Sequence, residues 1–275
     1  MKLNVREYVE KEKEILKENF KKIEKQNPTL TIYSNDKNGA TKSYLKNKIK
    51  VGQELGVNVE VVDGLFPPRF HMYNPCILQL PVDNTELLIE YENQELDYGF
   101  DVDGFFQYGD IYNGNINGVV PATPKGIIDY LYYLHGDNLC NLNVAIIGRG
   151  KLVGKPLASL LIDKVASLKI LTSKSTPLDI QKSFFDNDII ILATGKDNYL
   201  TSNVLDGLRC FKNKTIIDTG IFVGENGKLH GELYPILDII EKDYPNINYT
   251  PVPGGVGILT TLSLFKNVYK FYKED

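Results

Sequence analysis

A chain of 275 residues, 43% hydrophobic and 24% charged, carries enough apolar material for two domains of roughly 150 residues or fewer. A formal net charge of −4 speaks against the broad basic face of a nucleic-acid or anionic-membrane binder. Cys76, Cys140 and Cys210 are odd in number and far apart, which excludes a disulfide framework and a zinc cluster as first readings.

From the N-terminus, Val5, Tyr8, Val9, Ile15, Leu16, Phe20 and Ile23 recur at helical spacing, so residues 3–26 read as a helix stopped by Asn27-Pro28. Leu30–Ser34 reads as a strand, Thr41–Gly56 as a helix, Val57–Val62 as a strand, and Cys76–Leu80 as an apolar strand ending at Pro81. This alternation predicts a parallel sheet covered by helices. Periodicity is lost between Asp101 and Gly118, where Gly, Asn, Asp and Tyr dominate, and the domain boundary is expected near residue 120. A helix over Thr123–Leu134 then leads to four strand candidates: Asn143–Ile147, Leu168–Thr172, Asp188–Ala193 and Thr215–Asp218. After the Pro/Gly-rich run Thr250–Gly257, a last helix over Ile258–Tyr272 is free to pack on either half. No apolar run approaches the ~18 residues of a membrane span, and the charged N-terminus does not look like a signal peptide. The expected location is the cytoplasm.

Val144–Ile147 runs into Gly148-Arg-Gly-Lys-Leu-Val-Gly154-Lys-Pro156 and then an apolar helical stretch. A strand, a glycine turn and a helix N-terminus form the arrangement that holds a dinucleotide pyrophosphate, because free backbone N–H groups and the helix dipole favour an anion. The spacing is one residue longer than the usual fingerprint, and a tight strand–helix turn is the plain alternative. At the end of the next strand, Thr172-Ser-Lys174-Ser-Thr176 has no acid for the ribose hydroxyls but does have a lysine. With Arg149, Lys174 would make a cationic cradle for a 2′-phosphate, which favours NADP over NAD. A solvated loop lysine is the alternative.

Tyr44 and Lys48 stand four residues apart on one helix face, amid Lys42, Lys46 and Lys50. On spacing alone they make a solvated basic face. Asp101 and Asp103 would point the same way if their segment were extended. Gln79 lies inside an apolar run, where its amide needs a partner. Thr250-Pro-Val-Pro253-Gly254-Gly255-Val-Gly257 combines stiff prolines with glycines that allow close backbone approach.

In this order, these motifs resemble the bifunctional methylenetetrahydrofolate dehydrogenase/cyclohydrolase family over about Leu30 to Lys270. The similar stretches are Ala40–Lys48, Gln79-Leu80-Pro81, Asp101–Phe105, Pro121–Gly126, Gly148–Pro156, Asp218–Ile221 and Thr250–Gly257. The resemblance implies two α/β domains with the active site in a cleft between them. Residues 1–120, completed by the C-terminal helix 258–275, would bind folate; residues 121–250 would form a Rossmann-like nucleotide domain. It implies that Lys48 is the essential lysine, Tyr44 packs on the folate, Gln79 positions Lys48, and Asp103 holds the pterin with Asp101 beside it. Leu80, Pro253, Gly254 and Gly255 would complete the folate pocket. Gly148, Arg149, Gly150, Val153, Gly154 and Pro156 would form the cofactor loop. Lys174 would approach the 2′-phosphate, and Ala193, Gly195 and Ile221 would touch the cofactor from strand ends. No metal is implied.

The implied reaction oxidises 5,10-methylenetetrahydrofolate with NADP and hydrolyses the methenyl product to 10-formyltetrahydrofolate. A homodimer, with no nucleic-acid or membrane partner, is implied as well. Departures concentrate in the cofactor half: Gly150 replaces a Ser, Thr172-Ser173 replaces Cys-His, and Glu232-Leu233 replaces Asp-Val. The competing readings are another two-domain NAD(P)-dependent dehydrogenase, such as a shikimate-dehydrogenase-like enzyme, and a non-catalytic folate- or nucleotide-binding homologue.

Overall fold

Thr29–Tyr33 (β1) is buried at every position, as a parallel strand flanked on both sides should be. In the computed structural model it pairs in parallel with Asn58–Val62 (β2) and Cys76–Leu78 (β3), in the order β2-β1-β3. The structure describes residues 1–23, 27–34, 39–63, 74–80, 100–104, 111, 119–208 and 213–274, with the side chains of 39–44 and 274 left out. Pro81, Phe105 and the Tyr44 side chain lie outside the described atoms.

The chain divides into two compact units. One comprises Glu10–Ala122 and Thr261–Asp275 and contains the three-stranded sheet. Around that sheet lie most of α1 (Val5–Phe20), α2 (Gly39–Leu55) and the later turns of the C-terminal helix, which spans Val256–Glu274. That last helix is tied in by polar contacts. The Tyr272 hydroxyl bonds the backbone N–H and C=O of Thr29, both at 2.9 Å, and Lys266 pairs with Glu12 at 2.7 Å. Gly52 of α2 sits so close to Val59 and the Val57 carbonyl that a side chain there would press on them.

Met1–Val9 and Thr123–Thr260 form the other unit. It opens with α3 (Ala122–His135) and contains a parallel sheet of β4 (Asn143–Ile147), β5 (Ser167–Leu171), β6 (Ile189–Leu192), β7 (Lys214–Asp218) and β10 (Ile247–Tyr249). The strand order is β10-β7-β6-β4-β5, so the direction of winding reverses between β4 and β6. Helices α4 (Gly154–Leu161) and α5 (Pro177–Asp186) follow β4 and β5. A Thr176/Asp179 capping box starts α5. A two-stranded hairpin, β8 (Phe222–Val223) with β9 (Leu229–His230), follows β7. The core is the aliphatic interior of this sheet, with Ile147, Phe184, Ile190, Leu192, Ile216 and Ile247 nearly or wholly inaccessible. The first nine residues join this unit by backbone pairing of Lys2 and Leu3 with Tyr249 and by packing of Tyr8 on Tyr130 and Tyr133.

Four local expectations change. Helix α1 spans Val5–Phe20 rather than 3–26. The strand over 76–80 stops at Leu78, so Gln79 stands just past its end; its N–H continues the ladder to the Tyr33 carbonyl at 2.8 Å. Strand β5 ends at Leu171 because Thr172 enters a turn with Ser175. Strand β10 is an addition to the four strands expected in this half.

Candidate active site

The Glu10–Ala122 unit assembles five of the residues singled out above. Lys48 points from α2 to Gln79, its ammonium donating to Gln79 Oε1 at 2.6 Å. The other end of the amide is also engaged, with Nε2 donating to the Leu80 carbonyl at 2.7 Å. Both functions of a nearly buried amide are therefore satisfied, which answers why a Gln is tolerated there. Backbone bonds from Cys76 to Phe100 and from Val102 back to Cys76 lay the 100–102 segment along β3.

Residues 101–104 form a turn and not an extended strand. The fully buried Asp101 accepts from the Asp103 N–H at 3.2 Å, and Gly104 donates to the Asp101 carbonyl. The two carboxylates therefore have different tasks: Asp101 holds the turn, and Asp103 is left to face Lys48. Burial drives the Lys48 pKa below its ordinary value, opposed by the Asp103 charge. Burial likewise raises the Asp103 pKa, opposed by the Lys48 charge. Burial thus works against both charges, and each charge offsets part of that cost for the other.

The turn is anchored by a residue that sequence reasoning overlooked. Asn267, nearly buried in the last helix, donates through one amide group to the carbonyls of Val102 and Val120, each at 2.9 Å. Tyr44 lies on α2, one turn before Lys48.

The second unit holds the glycine turn. A cavity of about 200 Å³ opens at the carboxyl ends of β4 and β6, lined by Gly148, Arg149, Gly150, Ser173, Ala193 and Lys196, among others. This is the point where strand order reverses, the place where open parallel sheets bind ligands. The backbone is packed too tightly for side chains at two positions. A Cβ on Gly148 (φ +113°) would stand 2.0 Å from the Ala193 carbonyl oxygen, and one on Gly154 would stand 2.1 Å from the Gly148 oxygen. Gly150 is different, since a Cβ there meets nothing within 4 Å. Val153 precedes α4 without a side-chain cap, and Pro156 is buried in the first turn. Among the described residues, no carboxylate caps this helix N-terminus, whose free N–H groups suit an anion.

Arg149 and Ala193 line this cavity. Lys174 is exposed on the Thr172–Ser175 turn, beside the lining residue Ser173, with its N–H donating to Thr172 Oγ1. Lys196, which sequence reasoning passed over, lines the cavity directly, and its ammonium lies 5.9 Å from the Tyr199 ring centre. Gly195 (φ +65°) forms the bend between Thr194 and Lys196. Ile221 is partly exposed, close to Gly257. Pro253 follows a cis peptide, and Gly254 has φ +96° with Arg6 Nε nearby. These last residues belong to the nucleotide-type unit, whereas Lys48, Gln79, Leu80, Asp101 and Asp103 belong to the other. A larger cavity of about 800 Å³ lies under the β8–β9 hairpin, lined in part by Asp218, His230, Tyr234 and Thr250.

A parallel α/β unit with a glycine turn at its switch point, joined in one chain to an α/β unit carrying a buried Lys–Gln–Asp group, defines a nicotinamide-nucleotide-binding class of α/β protein. Residues 121–275 match the family described as tetrahydrofolate dehydrogenase/cyclohydrolase, NAD(P)-binding domain. The bifunctional protein FolD of Staphylococcus aureus strain Newman is 31% identical over 258 residues, spanning 87% of this chain and 84% of that protein. Among solved structures, the FolD methylenetetrahydrofolate dehydrogenase/cyclohydrolase of Campylobacter jejuni superposes with a TM-score of 0.82 at 27% identity, covering 100% of this chain and 99% of that one. The bifunctional enzyme of Thermoplasma acidophilum gives 0.77 at 24% identity, covering 98% of each chain, and shares the fold. The chain belongs to the tetrahydrofolate dehydrogenase/cyclohydrolase family.

Proposed function

We propose that this protein oxidises 5,10-methylenetetrahydrofolate to the 5,10-methenyl form with NADP and hydrolyses that product to 10-formyltetrahydrofolate. The observation that carries the proposal is the Lys48–Gln79 hydrogen bond at 2.6 Å facing Asp103, in a chain 31% identical to a bifunctional relative.

A nicotinamide dinucleotide held by its pyrophosphate at the glycine turn would supply the hydride acceptor. The residues fit that role: Gly148 and Gly154 leave no room for side chains, and Arg149 and Lys196 line the cavity. Arg149 and Lys174 are the residues proposed to select NADP over NAD, with Gly150, Val153, Pro156, Ala193, Gly195 and Ile221 as further cofactor contacts. Hydride transfer chiefly requires that the two carbons be held in line and shielded from water.

Hydrolysis asks more of the side chains. Water attacks the cationic methenyl carbon and its proton passes to Lys48 Nζ, which burial keeps closer to its neutral form. The carbonyl then forms as the carbon–nitrogen bond breaks, and the departing nitrogen takes the hydroxyl proton. Gln79 fixes the lysine throughout, and its second bond to Leu80 prevents the amide from turning away. Asp103 is proposed to hold the pterin, with Tyr44 and Asp101 beside it. The folate half is proposed over 1–120 with 258–275 and the nucleotide half over 121–250, although Met1–Val9 and the chain up to Thr260 pack with the nucleotide-type sheet. A cytoplasmic homodimer, without nucleic-acid or membrane partners, is part of the same proposal; no helix among the described residues is long and apolar enough to cross a membrane.

Parallel spectrophotometric assays with NADP and NAD on the methylene substrate test the reading, followed by methenyl hydrolysis in their absence. Turnover with NADP is expected in the first and absorbance loss of the methenyl species in the second. Absence of hydride transfer, with activity on a hydroxy acid instead, would overturn it.

A further inference from the structure

Glu232 has 0% of its surface exposed, and its carboxylate faces only donors among its described partners. Oε2 accepts from the Thr194 N–H at 3.2 Å and the Thr194 hydroxyl at 2.7 Å; Oε1 accepts from the Gly195 N–H at 2.9 Å. We propose that Glu232 is a positioning residue for the nucleotide pocket, its carboxylate holding the Thr194–Lys196 bend in the shape the cofactor needs. The proposal rests on the nucleotide site described above.

The bend forms part of the pocket wall: Ala193, Thr194, Lys196 and Tyr199 line the same cavity as Gly148–Gly150. It is not held by strand pairing, since β6 ends at Leu192. The Thr194 hydroxyl gives its proton to Glu232 and accepts from the Lys196 N–H at 3.1 Å, so the carboxylate also orients the backbone of a lining lysine. Glu232 is fixed from behind. Asp218, at the end of β7, accepts from the backbone N–H of Glu232 at 3.0 Å, of Leu233 at 2.8 Å and of Gly220 at 2.9 Å. Asp218's own N–H donates to Thr250 Oγ1 at 2.8 Å. A continuous set of hydrogen bonds thus runs from the head of the Thr250–Gly257 segment, through two buried carboxylates, to the rim of the cofactor cavity. Burial and the nearby Asp218 charge both raise the Glu232 pKa, and among the described residues no cation pairs with it, so its three donors at this rim point to an ordering role.

Glu232→Gln keeps the volume and turns an amide N–H₂ against N–H donors. In the full-length protein, the NADP Kd by titration calorimetry and the NADP KM should each rise about tenfold or more. The kcat at saturating NADP should fall less than threefold. Thr194→Val should weaken NADP in the same direction, and the double variant should lose less than the product of the two single effects, because both remove one interaction. An unchanged Kd in either single variant overturns the proposal, as does full multiplicative loss in the double variant or a fall in kcat with KM unchanged. Should Glu232→Gln fail to fold, Thr194→Val alone decides. A wild-type chain that binds no NADP overturns the nucleotide site itself, and the role of Glu232 with it.

Discussion

Gln79 Oε1 accepts from Lys48 Nζ at 2.6 Å, while the same amide donates to Leu80. The lysine is therefore held by a neutral partner, and among the described residues Asp103 supplies the charge that favours its ammonium form. Lys48→Ala should abolish methenyl hydrolysis, a loss of about a hundredfold or more, while folate binding by fluorescence titration is largely retained. Gln79→Glu would place a carboxylate against the ammonium and raise the Lys48 pKa. Its pH–rate profile for hydrolysis should shift to higher pH. A profile that stays in place would count against Lys48 as the proton acceptor.

Asp103 gives a second titration. Burial raises its folded-state pKa above the ordinary carboxylate value, so its contribution to stability is complete at low pH and is lost as pH rises through the folded value. The Lys48 charge opposes this shift. Lys48→Met removes the opposition, so the carboxyl of Asp103 should titrate at still higher pH, and stability should fall more between acid and neutral pH than in the wild type. Carboxyl carbon NMR titration and urea melts across pH check both signs.

The glycine turn separates into required and permissive positions. Gly154→Ala drives a methyl into the Gly148 carbonyl and Gly148→Ala into that of Ala193, so each should cost about 3 kcal/mol or more and remove NADP binding. Gly150→Ser meets open space and should change stability by no more than about 0.5 kcal/mol. Denaturant melts with NADP titrations distinguish the three.

Cofactor choice should follow the cations. Arg149→Ala and Lys174→Ala should each raise the Kd for NADP more than for NAD, since only NADP carries the 2′-phosphate. Raising the salt concentration should narrow the gap. Equal effects on both nucleotides would remove these residues from the phosphate site.

Asn267→Leu would leave the carbonyls of Val102 and Val120 without their shared donor. A loss of about 2–4 kcal/mol is expected in denaturant melts. Because the Val102 carbonyl belongs to the turn that presents Asp103, hydrolysis should fall as well.

The elements were legible wherever apolar residues recur in one register. Asn143–Ile147 and Asp188–Ala193 read as strands because a doubly covered parallel strand is apolar on both faces, and Val144–Ile147 and Ile189–Leu192 are wholly or nearly buried. Strand β10 was missed because Pro245, Asn246 and Asn248 dilute its pattern and its pairing with β7 lies beyond any local window. The glycine turn, Lys48, Gln79 and the 101–104 segment were visible as residue types out of place in their surroundings. Their partners were not. That Gln79 meets Lys48, that Asp101 turns back on Asp103, and that Glu232 reaches Thr194 and Gly195 depend on strands and helices brought together from far apart in the chain. Local sequence encodes backbone preference and periodicity. Which buried polar atom finds which partner, and so which pKa moves, was decided only when tertiary packing withdrew those groups from water.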